Sequence, residues 1–343
     1  MIEYPINVLG SGAVLLGQEV VCDGFHSARP IRVQTDVHDN HMGDFNTSKG
    51  FQNLYMSEET HGLLVAEFDA DLVVRENLYP VAMHTRQRVG DCSITLLPSR
   101  QMLGAVQVLV ELSNGLRIGY SGNFHWPLEP RDVLKCDALV VDSTNGSPQS
   151  IREYSQQEAE TRFLEIVESN LNRGSVHINA HRGTVQRALQ LLGRNVNAPI
   201  LCSERLCKEV AVYQRFVPAI GTVINCRSQD ARSAITDRRY IQLYSKGDRF
   251  AVERPDGVSI TLSAFMTRRD DPVLEYSQRA YGIALSNHAD FLGILEYVDA
   301  TGAKYVVTDN TRNHGVELAQ AIGERLGVVA EPSSNFQSRE WGA

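Results

Sequence analysis

Gln34-Thr35-Asp36-Val37-His38-Asp39-Asn40-His41-Met42-Gly43-Asp44 follows the short apolar segment Pro30-Ile31-Arg32-Val33 and gathers two histidines, three aspartates and an asparagine into eleven residues. A loop that leaves a strand end with imidazoles and carboxylates at alternate positions aims several ligands at one point. His38 and His41 are three apart and Asp36 stands two before the first, a spacing that suits a loop-to-helix turn carrying metal ligands. The competing reading is a solvated acidic loop with two incidental histidines. What the rest of the chain brings to this loop decides between them.

At 343 residues, with 43% hydrophobic and 22% charged residues, the chain has the size for one large or two medium domains and the composition of an ordinary globular protein. No apolar run reaches bilayer-spanning length, and Met1-Ile2-Glu3-Tyr4-Pro5 has no basic segment or signal-type apolar core. The expectation is a cytoplasmic protein without membrane association. The net charge of −8 argues against a generally basic nucleic-acid binder and leaves room only for a local basic groove. The six cysteines form no C-x-x-C pair, so a structural zinc knuckle is not expected.

Short strands separated by turns are expected first: Val8–Leu16 as a glycine-punctuated pair, Glu19–Gly24, then Cys92–Leu97, Ala105–Leu112 and Leu116–Tyr120, with Asn114-Gly115 as a hairpin turn. Met56–Glu67 has helical spacing, with Ser57 as its cap. Asp137–Asp142 reads as a buried strand ending on a carboxylate. In the middle, a helix over Ser155–Asn172 and alternating strands and helices from Val176 to Arg215 suggest a small parallel sheet. Arg227–Arg254 reads as polar loops and edge strands. Strands at Ser259–Ser263, Tyr281–Leu285, Lys304–Thr308 and Gly327–Ala330 follow, with helices after His288 and over Glu317–Leu326.

Acid, amide and imidazole side chains thus fall just after expected strands: Asp36 to His41, Gln101, Asn123, Asp142, His288 and Asp309. Ends of neighbouring strands in one sheet are close in space, so these residues are candidates to converge. In order, they resemble the metallo-β-lactamase-fold nucleases with a β-CASP insertion, a group that includes messenger-RNA 3′-end processing nucleases and DNA-ligase-associated exonucleases. The family's H-x-H-x-D-H aligns with Asp36-Val37-His38-Asp39-Asn40-His41, and its next histidine with Gln101 in Pro98–Val108. Its Y-S-G-D-F resembles Tyr120-Ser121-Gly122-Asn123-Phe124, and its strand ending in an acid resembles Val140-Val141-Asp142-Ser143-Thr144. Its L-S-D-H-A-D resembles Leu285-Ser286-Asn287-His288-Ala289-Asp290, and its V-T-H-G resembles Val307-Thr308-Asp309-Asn310. The resemblance implies an α/β fold, a metallo-β-lactamase αββα sandwich (1–150 and 256–343) carrying an inserted β-CASP α/β domain (151–255).

The departures fall on the chemistry. Where the family has two zinc ions on five histidines and two aspartates, this chain has Asp36, Gln101 and Asp309 at histidine positions, and Asn40 and Asn123 at aspartate positions. His38 and His41 match the pattern, and so does the proton-donating pair Asp142 and His288. Two functions remain open. In one, Asp36, His38, His41 and Asp309, helped by Asn40, Gln101 and Asn123, hold a single divalent ion (Mn, Mg, Fe or Zn) in a divergent nuclease or phosphodiesterase that cleaves RNA or DNA. In the other, the protein binds no metal and serves as an inactive platform for nucleic acid, a protein partner or a second copy of itself. Arg182, Arg187, Arg238, Arg239, Arg268 and Arg269 are candidates to hold a nucleic-acid backbone, but they alternate with aspartates as a solvated, ion-paired surface would.

Overall fold

The computed structural model describes residues 4–67, 70–245, 248, 257–263 and 268–333. The architecture is mixed α/β, with three sheets and eight helices among those residues. Two compact units emerge: one comprises Met1–Val65, Asp69–Ile151 and His288–Ala343, the other Ala66–Phe68 and Arg152–Asn287. No helix among the described residues is long and apolar enough to cross a membrane.

The first unit begins with a six-stranded sheet of β1 (Ile6–Val8), β2 (Val14–Leu16), β3 (Val20–Cys22), β4 (Ile31–Val33), β5 (Asn53–Met56) and β6 (Leu78–Pro80) in sequential order. Helices α1 (Phe45–Phe51) and α2 (Glu58–Glu67) interrupt it. As the sequence implies, Ser57 caps α2, its hydroxyl accepting from the Thr60 amide at 3.1 Å. A second sheet follows with β7 (Arg86–Val89), β8 (Cys92–Pro98), β9 (Val106–Glu111), β10 (Arg117–Tyr120) and β11 (Ala138–Val141). Gly115, with φ +84°, closes the β9–β10 hairpin expected from Asn114-Gly115.

The chain then builds the second unit around a largely parallel sheet: β12 (Val176–Ala180), β13 (Ile200–Cys202), β14 (Ile224–Asn225), β15 (Ile241–Ser245), β16 (Val258–Leu262), β17 (Val273–Ser277) and β18 (Ala280–Ile283), ordered β14-β13-β15-β12-β16-β18-β17. Its helices are α3 (Gln156–Leu171), α4 (Thr184–Asn195), α5 (Glu204–Phe216) and α6 (Gln229–Asp237). Finally α7 (Phe291–Thr301), β19 (Tyr305–Thr308), α8 (Gly315–Leu326) and β20 (Val329–Pro332) return to the first unit and complete the second sheet as β20-β19-β11-β10-β9-β8-β7.

Why the first unit has this layering follows from the side-chain alternation of its strands. Val140 of β11 joins Val14, Leu16, Val33, Ile94, Val108 and Ile118 in a core between the two sheets. Its neighbours Leu139 and Val141 turn the other way and pack with Phe291, Ile294, Val298, Leu318 and Ile322 of α7 and α8. Successive strand residues point to opposite faces, so a strand covered on both sides must be apolar throughout, as Ala138-Leu139-Val140-Val141 is. Each such fully buried aliphatic side chain contributes about 1.5–3 kcal/mol relative to exposure.

Two expectations are revised. From sequence, the inserted domain closes at residue 255, which lies outside the described residues, yet residues 258–287 belong with the second unit. The cause is pairing: β12 runs parallel to β16 from Val176↔Val258 to Ala180↔Leu262, and β16 in turn pairs with β18. The polar segment after Arg227, expected as loops and edge strands, contains α6, capped by Ser228, and the central strand β15. Ile241 and Leu243 are buried, and Gln242 between them is buried too. A polar residue inside a doubly covered strand hides it from pattern reading.

Candidate functional site

Strands β10, β11 and β19 are parallel neighbours, so Asn123, Asp142 and Asp309, which follow them, leave the sheet at one edge. Strand β9 runs antiparallel to β10, which puts Gln101, in the β8–β9 connection, at that edge as well. The Val106 amide donates to the Thr35 carbonyl at 3.0 Å and draws the end of β4, with the loop of residues 34–44, onto the same place. Gly122 permits this approach: its φ is +55°, and a Cβ there would stand 2.7 Å from the Val106 carbonyl oxygen.

Within the loop, His41 is fully buried, and its Nδ1 lies 3.1 Å from Asp36 Oδ1, 3.2 Å from Asp23 Oδ2 and 2.9 Å from the Thr35 hydroxyl. Thr35 donates to Asp23 at 2.6 Å, and the His38 amide donates to Asp36 Oδ1 at 2.8 Å. Burial disfavours a charged imidazole, but Asp36 and Asp23 outweigh it and hold the His41 pKa above the ordinary histidine value. Burial likewise works against an ionised Asp36, yet His41 holds its carboxyl below the usual carboxylate range. Asp36 and His41 are therefore a buried pair in which each favours the charged form of the other. His38 goes the other way: burial, reinforced by His41 and His288 against the pull of Asp36, takes its pKa down to about 4 and leaves the imidazole neutral.

Beneath the loop, Arg32 is fully buried and ties it down. The guanidinium donates to Gln34 Oε1, the Gly43 and His41 carbonyls and the Ser48 hydroxyl, at 2.7–3.1 Å.

On the sheet side, Asp142 Oδ2 stands 3.8 Å from His288 Nδ1, while its Oδ1 accepts from the Thr144 amide and hydroxyl. Burial would raise the Asp142 carboxyl, but the neighbouring His288 and Thr144 bring it below its ordinary value. Asp309 caps the turn after β19, its Oδ1 accepting from the Thr311 amide at 3.0 Å and the Thr311 hydroxyl at 2.5 Å. Its Oδ2 takes the Arg312 Nε at 3.3 Å. Arg312 also donates through Nη2 to the Asn40 carbonyl at 3.0 Å, linking the turn to the 34–44 loop.

Hydrogen bonds within the protein engage part of the implied metal-ligand set. Asp36 is committed to His41, and Asp309 to Thr311 and Arg312 rather than to a shared ion. Asn40 is exposed and contributes its carbonyl, not its side chain. Among the described residues, no three His, Cys, Asp or Glu side chains are grouped so as to hold an ion. Four buried polar atoms nevertheless lack a hydrogen-bond partner among the described residues: Asp36 Oδ2, His41 Nε2, Gln101 Oε1 and Asn123 Nδ2. Buried polar atoms are nearly always satisfied, so this cluster marks a place built to receive something.

Over 123 residues the chain is 35% identical to an "Uncharacterized protein in lig 3′ region" of Acidianus ambivalens, a match covering 36% of this chain and 86% of that protein. The chain belongs to that protein's family. It is also 25% identical over 306 residues to a "Probable DNA ligase" of Opitutus terrae, covering 80% of this chain but only 28% of the ligase's length. No family model matches the chain. Among solved structures, the crystal structure of a protein of unknown function from Enterococcus faecalis V583 shares the fold with a TM-score of 0.58 and 12% identity, over 81% of this chain and 74% of that one.

Three residues of the centre went unnoticed in the sequence: Asp23, Thr35 and Arg312. The same strand-end criterion that selects Asp142 would have selected Asp23, which follows β3 with a left-handed φ of 56°. Arg312 is three residues past Asp309, the spacing at which a side chain turns back onto an acid in a tight turn. Of the candidate backbone-holding arginines, three are engaged by carboxyl groups: Arg182 by Glu67 and Arg187 by Glu160, both at 2.6 Å, and Arg269 by Glu153 at 2.8 Å. Arg239 donates to the Asn197 carbonyl.

Proposed function

We propose that this chain is a nucleic-acid-binding protein of the metallo-β-lactamase and β-CASP group, with ion pairs in place of the metal pair at its strand-end centre. The observation that carries this reading is the engagement of the acids at the metal positions, Asp36 with His41 and Asp309 with Arg312. Two facing sheets with helices outside one of them, and a parallel-sheet unit inserted between Ile151 and His288, agree with that group's αββα sandwich and inserted domain. The similarity to a probable DNA ligase supports a nucleic-acid partner.

A second reading, a divergent metal-dependent phosphodiester hydrolase acting on RNA or DNA, is favoured by two observations. The Asp142–His288 pair is present, and Asp36 Oδ2, His41 Nε2 and Gln101 Oε1 are buried donor atoms that a single ion would satisfy. In that case Asp36, His38 and His41 would hold the ion, which would supply Lewis acidity. His288, oriented by Asp142, would deliver a proton to the leaving oxygen.

One experiment separates the two. Labelled single-stranded DNA and RNA are titrated with the protein with and without chelator, metal content is measured, and cleavage is followed in Mn²⁺, Mg²⁺, Fe²⁺ and Zn²⁺. The binding reading expects affinity indifferent to chelator and no cleavage. Failure to bind either oligonucleotide refutes it; ion uptake with cleavage that disappears in His288→Ala establishes the hydrolase.

A further inference from the structure

We propose that Arg312 is the anion-binding residue of the strand-end centre, presenting its guanidinium to a backbone phosphate of single-stranded nucleic acid. This rests on the nucleic-acid reading above and gives it a point of contact.

Arg312 is held from two sides. Nε donates to Asp309 Oδ2 and Nη2 to the Asn40 carbonyl, so the planar fork is fixed before any ligand arrives. Nη1 makes no protein hydrogen bond among the described residues, and the side chain retains 11% exposure. The turn that carries it is itself braced. Thr311 saturates Asp309 Oδ1, and the Ser143 hydroxyl lies between the Asp309 and Asn313 carbonyls, 2.5 Å from each, with its one proton to share. Asn313 and His314, which follow, both take left-handed backbone, with φ of 79° and 47°. Non-glycine residues hold that conformation only where the surroundings impose it, and such strain collects at sites that position a side chain.

A second, independent observation points to an anion. Asn123, 2% exposed at the end of β10, has an amide nitrogen with no partner, and β10 is separated from β19 by β11 alone. An unsatisfied buried N–H donor and an anchored guanidinium on one sheet edge match the several oxygens of a phosphate. Of the nearby carboxylates, Asp309 takes one edge of the guanidinium, while Asp142 faces His288 and Asp23 faces His41.

The test uses the full chain and two variants. Removing Arg312 alone would leave Asp309 buried beside no cation, so Asp309→Asn with Arg312→Gln deletes both charges together, and the asparagine can still cap the turn. Arg312→Lys keeps the charge without the fork. Binding of single-stranded DNA, single-stranded RNA and inorganic phosphate is measured across a salt series, with the thermal unfolding transition as the check on folding. The double variant should lose about tenfold in oligonucleotide affinity, and its slope of log affinity against log salt should flatten by about 0.7, the value of one phosphate contact on a single strand. Arg312→Lys should weaken binding and keep the slope. A folded double variant with unchanged affinity and slope overturns the proposal and reduces Arg312 to an internal ion pair. If the native chain binds phosphate through Arg312 but neither oligonucleotide, the anion site stands and the nucleic-acid reading falls. Binding of none of the three refutes both.

Discussion

Arg32→Leu should disable the candidate site from below while leaving the second unit intact. Arg32 is fully buried, and its guanidinium makes five hydrogen bonds that gather Gln34, His41, Gly43 and Ser48 into the loop. Burial lowers its pKa to about 10, with Asp23 and Asp44 resisting, so the charge is retained at neutral pH. Leucine avoids the desolvation of a guanidinium, which offsets part of the loss. It also strands two buried acceptors, Gln34 Oε1 and the Ser48 hydroxyl oxygen, each costing about 1–3 kcal/mol if left unsatisfied, and Asp23 loses a compensating cation. Allowing for relaxation, the net destabilisation should be about 3–5 kcal/mol, the range for breaking a buried charge network from one side. Trp126 falls in the first unit, so its fluorescence in a urea titration reads that unit. With a slope of about 3 kcal/mol per molar urea, the midpoint should drop by roughly 1–1.7 M. Arg32→Lys should fall between the native chain and Arg32→Leu. A drop of less than about 0.3 M would refute the reasoning, because it would mean that the network's hydrogen bonds are worth no more than the desolvation they require.

Tyr297→Phe should cost about 1–2 kcal/mol in the same titration, because the buried hydroxyl donates to Gln107 Oε1 at 2.7 Å and its removal leaves that oxygen unpaired; no change would show that the oxygen finds another donor. In the second unit, burial and the neighbouring Glu209, against the pull of Arg182, raise the Glu67 pKa to about 8. A carboxyl raised on folding stabilises the fold fully below its unfolded value of about 4.5, and that contribution is lost as pH rises through about 8. Unfolding of the second unit followed from pH 5 to 8 should therefore show falling stability, and Glu67→Gln should flatten the fall. An equally steep fall in the variant would assign the effect to another group.

How far the sequence alone reached can be read from individual residues. The uninterrupted apolar run of β11, the Asn114-Gly115 turn and the serine cap of α2 are local signals, fixed by pleat, backbone geometry and amide satisfaction within a few residues, and each was legible. The location of the site was legible for a related reason: a polar side chain directly after an apolar strand can only sit at a sheet edge. What could not be read was which residues at that edge pair with each other. Asp36, His38, His41 and Asp309 look like a ligand set as long as they are considered by type and order. Only the fold brings Asp23 from β3 to His41, and Arg312 from the turn after β19 to the carbonyl of Asn40, across separations of 18 and 272 residues. Residues 258–287 were assigned to the first domain for the same reason, because β16 and β18 are placed by their hydrogen-bonded neighbours and not by anything within their own residues. The composition of the loop at 34–44 made it a candidate centre; tertiary structure adds Asp23 beside His41 and Arg312 on the Asn40 carbonyl.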